Sequence, residues 1–145
     1  MTHPYWKAFD FWLACTAAML FWLGVNLFQL LPDGGETKTL QYLLFVILVF
    51  PVLEEIVFRG LIQESIQKLL ENNHFNNLFV WRISYANLYT SLIFSALHLW
   101  SQPFIWAAAI LLPSLIFGYF KDRYQSLQPS ILLHIFYNFG FYMLI

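Results

Sequence analysis

The sequence is short of charge. Only 10% of its 145 residues are Asp, Glu, Lys or Arg, where a soluble domain carries about 25%. The formal net charge is -1, so no basic field is present to recruit DNA or RNA. There is one cysteine, Cys15, which excludes an intrachain disulfide and a disulfide-built secreted module. No Asn-x-Ser/Thr sequon and no C-terminal prenylation box occur. Rossmann and P-loop patterns are missing too.

The motifs of several membrane proteases are also absent. No His-Glu-x-x-His occurs, since Leu99 follows His98 and Ile135 follows His134; this disfavours a site-2-type zinc enzyme. No serine sits in Gly-x-Ser-Gly, which argues against a rhomboid-type serine enzyme. Ser95 precedes His98 by three residues, but one helix face rarely supplies both a nucleophile and its base. The aspartates are Asp10, Asp33 and Asp122. All fall at span edges or in loops, which argues against an aspartyl dyad.

What the chain has in abundance is apolar surface. Apolar residues make up 60% and aromatics 21%, with sixteen Phe, eight Tyr and six Trp. A soluble globule could not hide so much. The composition excludes a disordered chain and indicates a protein dissolved in a bilayer. A bilayer core about 30 Å thick takes roughly 20 helical residues to cross. Five stretches approach that length: about Phe9 to Leu31, Leu40 to Gly60, Ile83 to Trp100, Pro103 to Phe120, and Pro129 to Ile145. The first is too long for the core of a cleaved signal and reads as a retained span. The breaker-rich run Pro32-Asp33-Gly34-Gly35-Glu36 makes a turn after it. Leu61 to Leu70 continues the second span as an amphipathic helix leaving the membrane or lying on it. Asn72, Asn73, His74, Asn76 and Asn77 mark a loop. The expected fold is therefore all-α, a polytopic transmembrane bundle of about five spans forming a single membrane-embedded domain.

Orientation follows from Lys and Arg in the short loops. The side holding the N-terminus receives Lys7, Lys68, Arg82, Lys121 and Arg123; the other receives Lys38. This predicts N-in, C-out, in a cytoplasmic membrane.

Several polar residues lie within the spans: Glu54, Glu55 and Arg59 in the second, His98 in the third, His134 and Asn138 in the fifth. A charge at the bilayer centre costs about 2.5–3.5 kcal/mol on insertion scales, so such residues are functional candidates. Glu55 and Arg59 are i,i+4 neighbours and can pair. Glu54 points about 100° away, without an obvious local cation, as suits a general base. Pro51, one turn earlier, frees a backbone carbonyl and kinks the helix. Phe94 shares a face with His98 and can wall its ring. Asn138 shares a face with His134, and can orient that ring or donate to an oxyanion. One carboxylate, two imidazoles and an amide gathered in a bundle suit hydrolysis by water. Naive spans leave the two histidines at different depths. Their meeting requires staggered helices, and a chain that dips into the membrane around a wet cavity after His98.

Glu54-Glu55-x-x-x-Arg59, Phe94-x-x-x-His98 and His134-x-x-x-Asn138 resemble the three ordered motifs of the CAAX-protease and bacteriocin-processing family, the Rce1-like, glutamic-type intramembrane endopeptidases. The resemblance covers about residues 40 to 145, and the Gly60 after Arg59 also fits. It implies that Glu54 activates water, that His98, His134 and Asn138 line the site, and that Glu55 with Arg59 shapes it. It implies no bound metal, and a substrate peptide or protein with a membrane-proximal segment, near a C-terminus. Familiar members have more spans, and the short chain looks more like a bacterial specialist.

Other readings stand beside this one. A zinc enzyme would use Glu54, His98 and His134 as ligands with an open fourth position. A non-catalytic immunity or scaffold protein would keep the same residues for packing. Glu54, Glu55 and Arg59 would then be charges snorkelling at a helix exit. His98 would belong to an aromatic belt beside Trp100, and His134 and Asn138 would be interhelical hydrogen-bonding groups. Gln102, Asn87, Asn26 and His3 read as packing or interface residues, Ser114 and Gly118 as small-residue helix contacts, and His74 as solvated.

Overall fold

The computed structural model describes residues 4–28, 39–73, 78–80 and 82–144. The end of the first expected span, the 32–36 turn, Lys38, His3, His74, the Asn76–Asn77 loop and the terminal Ile145 lie outside them. Among the described residues, five helices follow a short 3-10 turn at Tyr5–Lys7. They are α1 (Phe9–Leu27), α2 (Leu40–Asn72), α3 (Tyr85–His98), α4 (Phe104–Tyr124) and α5 (Gln128–Leu144). A two-stranded antiparallel ladder, β1 (Leu78–Val80) and β2 (Ile83–Ser84), precedes α3. The sequence carries no hint of it. Arg82, in the turn between the strands, adopts a positive φ of 71°.

The helix starts follow local chemistry. Thr39 caps α2 by accepting the Tyr42 N–H, and Ser84 caps α3 by accepting the Asn87 N–H. Pro103 precedes α4, and Pro129 falls in the first turn of α5, where its missing N–H is not needed.

Helices α1, α2 and α4 are long and apolar enough to cross a membrane. Helices α3 and α5 have 14 and 17 residues. At 1.5 Å per residue they reach about 21 and 26 Å, short of a hydrocarbon core about 30 Å thick. Large apolar side chains lie on the outside, among them Trp12, Leu20, Phe21, Leu48, Phe50, Ile105 and Leu112. That surface suits lipid and not water: the protein is an integral membrane protein.

The chain packs as two compact units, residues 1–53 with 131–145, and residues 54–130. In the first, α1 buries Phe11, Ala14, Cys15, Ala18, Trp22 and Val25, the stripe of an i, i+3, i+4, i+7 face. Trp22 meets Phe136 at 5.1 Å between ring centroids. It also lies where a Cβ on Gly140 would sit, 2.1 Å away, so only glycine allows that approach. The Tyr137 hydroxyl donates to the Ala14 carbonyl at 2.9 Å.

In the second unit, α3 and α4 form an antiparallel hairpin held by small and polar residues. Ser95 donates to the Ala107 carbonyl. Asn87 donates to the Leu115 carbonyl at 2.9 Å and accepts from Ser91 at 3.0 Å. Gly118 lets Asn87 approach so closely that a Cβ there would stand 1.9 Å from its Oδ1. Close backbone approach and satisfied polar groups hold helices together where lipid removes the hydrophobic drive.

Helix α2 contains two π-helical stretches, Phe45–Val49 and Ile56–Gln63. They flank Pro51 and the Glu54-Glu55 pair. The first stretch takes up the proline: Phe50 N–H donates five residues back to the Phe45 carbonyl. The next bond in that register would run from residue 51 to Val46, but proline has no N–H to donate.

Candidate active site

Glu55, Arg59 and Gln63 follow one another every fourth residue on α2, and all three are fully buried. Arg59 is the hub. Its Nε lies 3.4 Å from Glu55 Oε2, an ion pair. One terminal nitrogen reaches Gln63 Oε1 at 3.2 Å and Ser91 Oγ at 3.3 Å. The other reaches the carbonyl and hydroxyl of Ser114 at 2.8 and 2.6 Å. A guanidinium has five N–H donors, and each has an acceptor or an ion-pair partner here. Phe94 closes the remaining side, its ring centroid 6.0 Å from the Arg59 Cζ. Arg59 therefore ties α2 to α3 and α4.

The network continues beyond Arg59. Gln63 donates to the Gly118 carbonyl at 3.2 Å and to Asp122 Oδ1 at 2.7 Å. Ser84, the cap of α3, donates to Asp122 Oδ2 at 2.6 Å. Sequence reasoning missed this extension. It did not single out Gln63, and it put Asp122 at a span edge or in a loop. Gln63 is fully buried, and Asp122 lies inside α4. The four-residue spacing from Glu55 through Arg59 to Gln63 is the signal that could have found it.

Glu54 is half-exposed, in contrast to its neighbour Glu55. His98 closes α3 and is half-buried. Its Nδ1 lies 2.8 Å from the Phe94 carbonyl. A carbonyl only accepts, so Nδ1 carries a proton. The Phe94 ring packs on the imidazole at 4.6 Å between centroids, tilted by 48°. Glu54, Glu55, Arg59 and His98 all belong to the 54–130 unit.

His134 and Asn138 belong to the other unit. His134 is 5% exposed. Asn138 Nδ2 donates to the Val46 carbonyl at 2.8 Å, the carbonyl that Pro51 leaves without its π-register donor. The amide therefore fills a backbone vacancy as well as sharing a face with His134. Within neither unit do three His, Cys, Asp or Glu side chains gather as a metal site would need, among the described residues.

These residues sit within a recognisable frame. A family model described as type II CAAX prenyl endopeptidase Rce1-like matches residues 36–140. The chain belongs to the Rce1-like family. No curated protein and no solved structure matches it. The matched segment contains the two glutamates, Arg59, His98, His134 and Asn138. Membership in the Rce1-like family implies a membrane-embedded protease acting on a membrane-associated substrate.

Proposed function

We propose that the protein is a glutamic-type intramembrane endopeptidase, hydrolysing a peptide bond of a membrane-anchored peptide or protein near its C-terminus. The observation that carries this reading is the contrast between two adjacent carboxylates. Glu55 is fully buried and paired with Arg59, whereas Glu54 is half-exposed. Glu55 is structural, and Glu54 keeps part of its surface open to act as the base.

In this mechanism Glu54 accepts a proton from water as the oxygen attacks the scissile carbonyl carbon. His98 accepts the second water hydrogen at Nε2 and so aims the attacking lone pair. Negative charge collects on the carbonyl oxygen. The resemblance makes His134 and Asn138 site residues, and an amide N–H of Asn138 suits donation to such an oxyanion, which would lower the barrier at the step where charge develops. Glu54 then returns its proton to the departing nitrogen. The C–N bond breaks, leaving a new carboxylate and a new amine. Glu55 and Arg59 touch neither water nor substrate; they are positioning residues that hold α2 against α3 and α4.

The chain is embedded with its N-terminus in the cytoplasm, as one domain, in a bacterial inner membrane. The short α3 and its turn into α4 enter from one side around a wet cavity. The family description makes a prenylated Cys-aliphatic-aliphatic-X C-terminus the first substrate to test. The test is cleavage of such a peptide by purified protein in liposomes made with oxygen-18 water. One label in the new carboxylate supports hydrolysis by water. Intact peptide, with a broader panel of membrane-anchored C-termini also uncut, contradicts the reading.

A further inference from the structure

Helix α1 ends at Leu27, and the family match begins at residue 36. Helix α1 thus lies outside the match, yet it packs on the helix that carries His134 and Asn138. These residues and α1 belong to one unit, residues 1–53 with 131–145. At about 100° per residue, Phe136, Tyr137 and Gly140 share one side of α5, and His134 and Asn138 share another, roughly 130° further round.

Two features lock the first side to α1. The buried Trp22 indole stands where a Cβ on Gly140 would be. It lies 5.1 Å from the Phe136 ring and 6.4 Å from the Tyr137 ring, the latter edge-on. Eight residues earlier, about 12 Å along α1, the Ala14 carbonyl accepts the Tyr137 hydroxyl at 2.9 Å. Apolar packing alone selects little between rotations of a helix in lipid, because lipid tails are as apolar as side chains. An indole seated on a glycine and a hydroxyl on a carbonyl do select one. From the other side, α2 holds α5 through the Val46 carbonyl on Asn138 at 2.8 Å and through Tyr42 against Tyr142 at 6.0 Å.

We propose that Tyr137 and Trp22 are positioning residues of the peptidase, setting the rotation of α5 and so the place of the His134 imidazole and the Asn138 amide. The assignment rests on the peptidase reading above. A side chain about 5–6 Å from the helix axis moves by about 2 Å when the helix turns by about 20°. A misplacement of about 1 Å costs on the order of 10²-fold in rate. Helix α1 is then part of the working enzyme as well as a membrane span.

The test is Tyr137→Phe in the full chain, in liposomes, with a peptide that the wild type cleaves. The variant keeps the ring against Trp22 and loses the O–H. Its kcat should fall at least tenfold, with KM within about twofold of wild type. In histidine-labelled protein the nitrogen-15 signals of His134 should shift while those of His98, in the other unit, stay. Gly140→Ala drives the Cβ into the indole and should also lower kcat at least tenfold. Adding Trp22→Leu, which removes the colliding ring, should restore most of it. Tyr137→Phe decides the matter if Gly140→Ala fails to fold. A lower melting temperature at the wild-type kcat, or unmoved His134 signals, overturns the positioning role and leaves the peptidase reading standing. A wild type that cuts no peptide overturns the peptidase reading, and this role with it.

Discussion

Arg59 and Glu55 lie side by side with no exposed surface, Nε 3.4 Å from Oε2. Neither charge is tolerable alone at that depth. Breaking a buried pair by removing one partner costs about 3–5 kcal/mol. Arg59→Ala should therefore lower the melting temperature sharply, measured by thermal unfolding in detergent. Arg59→Lys should not rescue it, because an ammonium cannot reach Glu55, Gln63, Ser91 and Ser114 at once. A melting temperature within a degree or two of wild type for Arg59→Lys would refute the hub.

Gly118 and Asn87 form a close helix contact in the 54–130 unit. Gly118→Ala should destabilise by about 1–3 kcal/mol through overpacking. Asn87→Ala removes the obstructing oxygen, so the double variant should be more stable than the sum of the two single effects. Additive melting shifts would show that the two residues do not meet.

Asn138 and Pro51 are coupled through the Val46 carbonyl. Asn138→Ala should destabilise by about 0.5–1.5 kcal/mol, the net worth of one hydrogen bond. Pro51→Ala supplies the missing N–H, so the loss should shrink in that background. A full loss in both backgrounds, by thermal or denaturant unfolding, would place the role of Asn138 elsewhere.

His98 should carry a proton at Nδ1. Nitrogen-15 spectra of histidine-labelled protein should show for it a protonated Nδ1. The opposite tautomer would contradict its hydrogen bond to Phe94.

How far the sequence could be read depended on whether a signal was local. The Thr39, Pro103 and Pro129 helix starts follow from single residues and their backbone chemistry. The family motifs were legible because an ionisable residue inside an apolar run is expensive and stands out. Gln63 and Asp122 did not stand out, since both fall where the chain turns polar. Which face of a polar helix is buried depends on its neighbours and not on its own pattern. Lys121 was counted as a loop charge for the same reason, and the structure buries it within α4. The expected kink at Pro51 is realised as a π-helical stretch, a register that an analysis at 3.6 residues per turn does not contain. The five-span expectation counted apolar residues, and α3 and α5 fall short of it in helical length.

The most direct test of the central claim compares wild type with Glu54→Gln in liposomes, using a cleaved C-terminal peptide and following the rate. The substitution keeps size and hydrogen bonding but cannot take a proton. The rate should fall by about 10²–10⁴-fold, the usual contribution of a general base, with the melting temperature unchanged and the wild-type rate unaffected by chelator. A Glu54→Gln protein that cleaves at the wild-type rate would contradict the account.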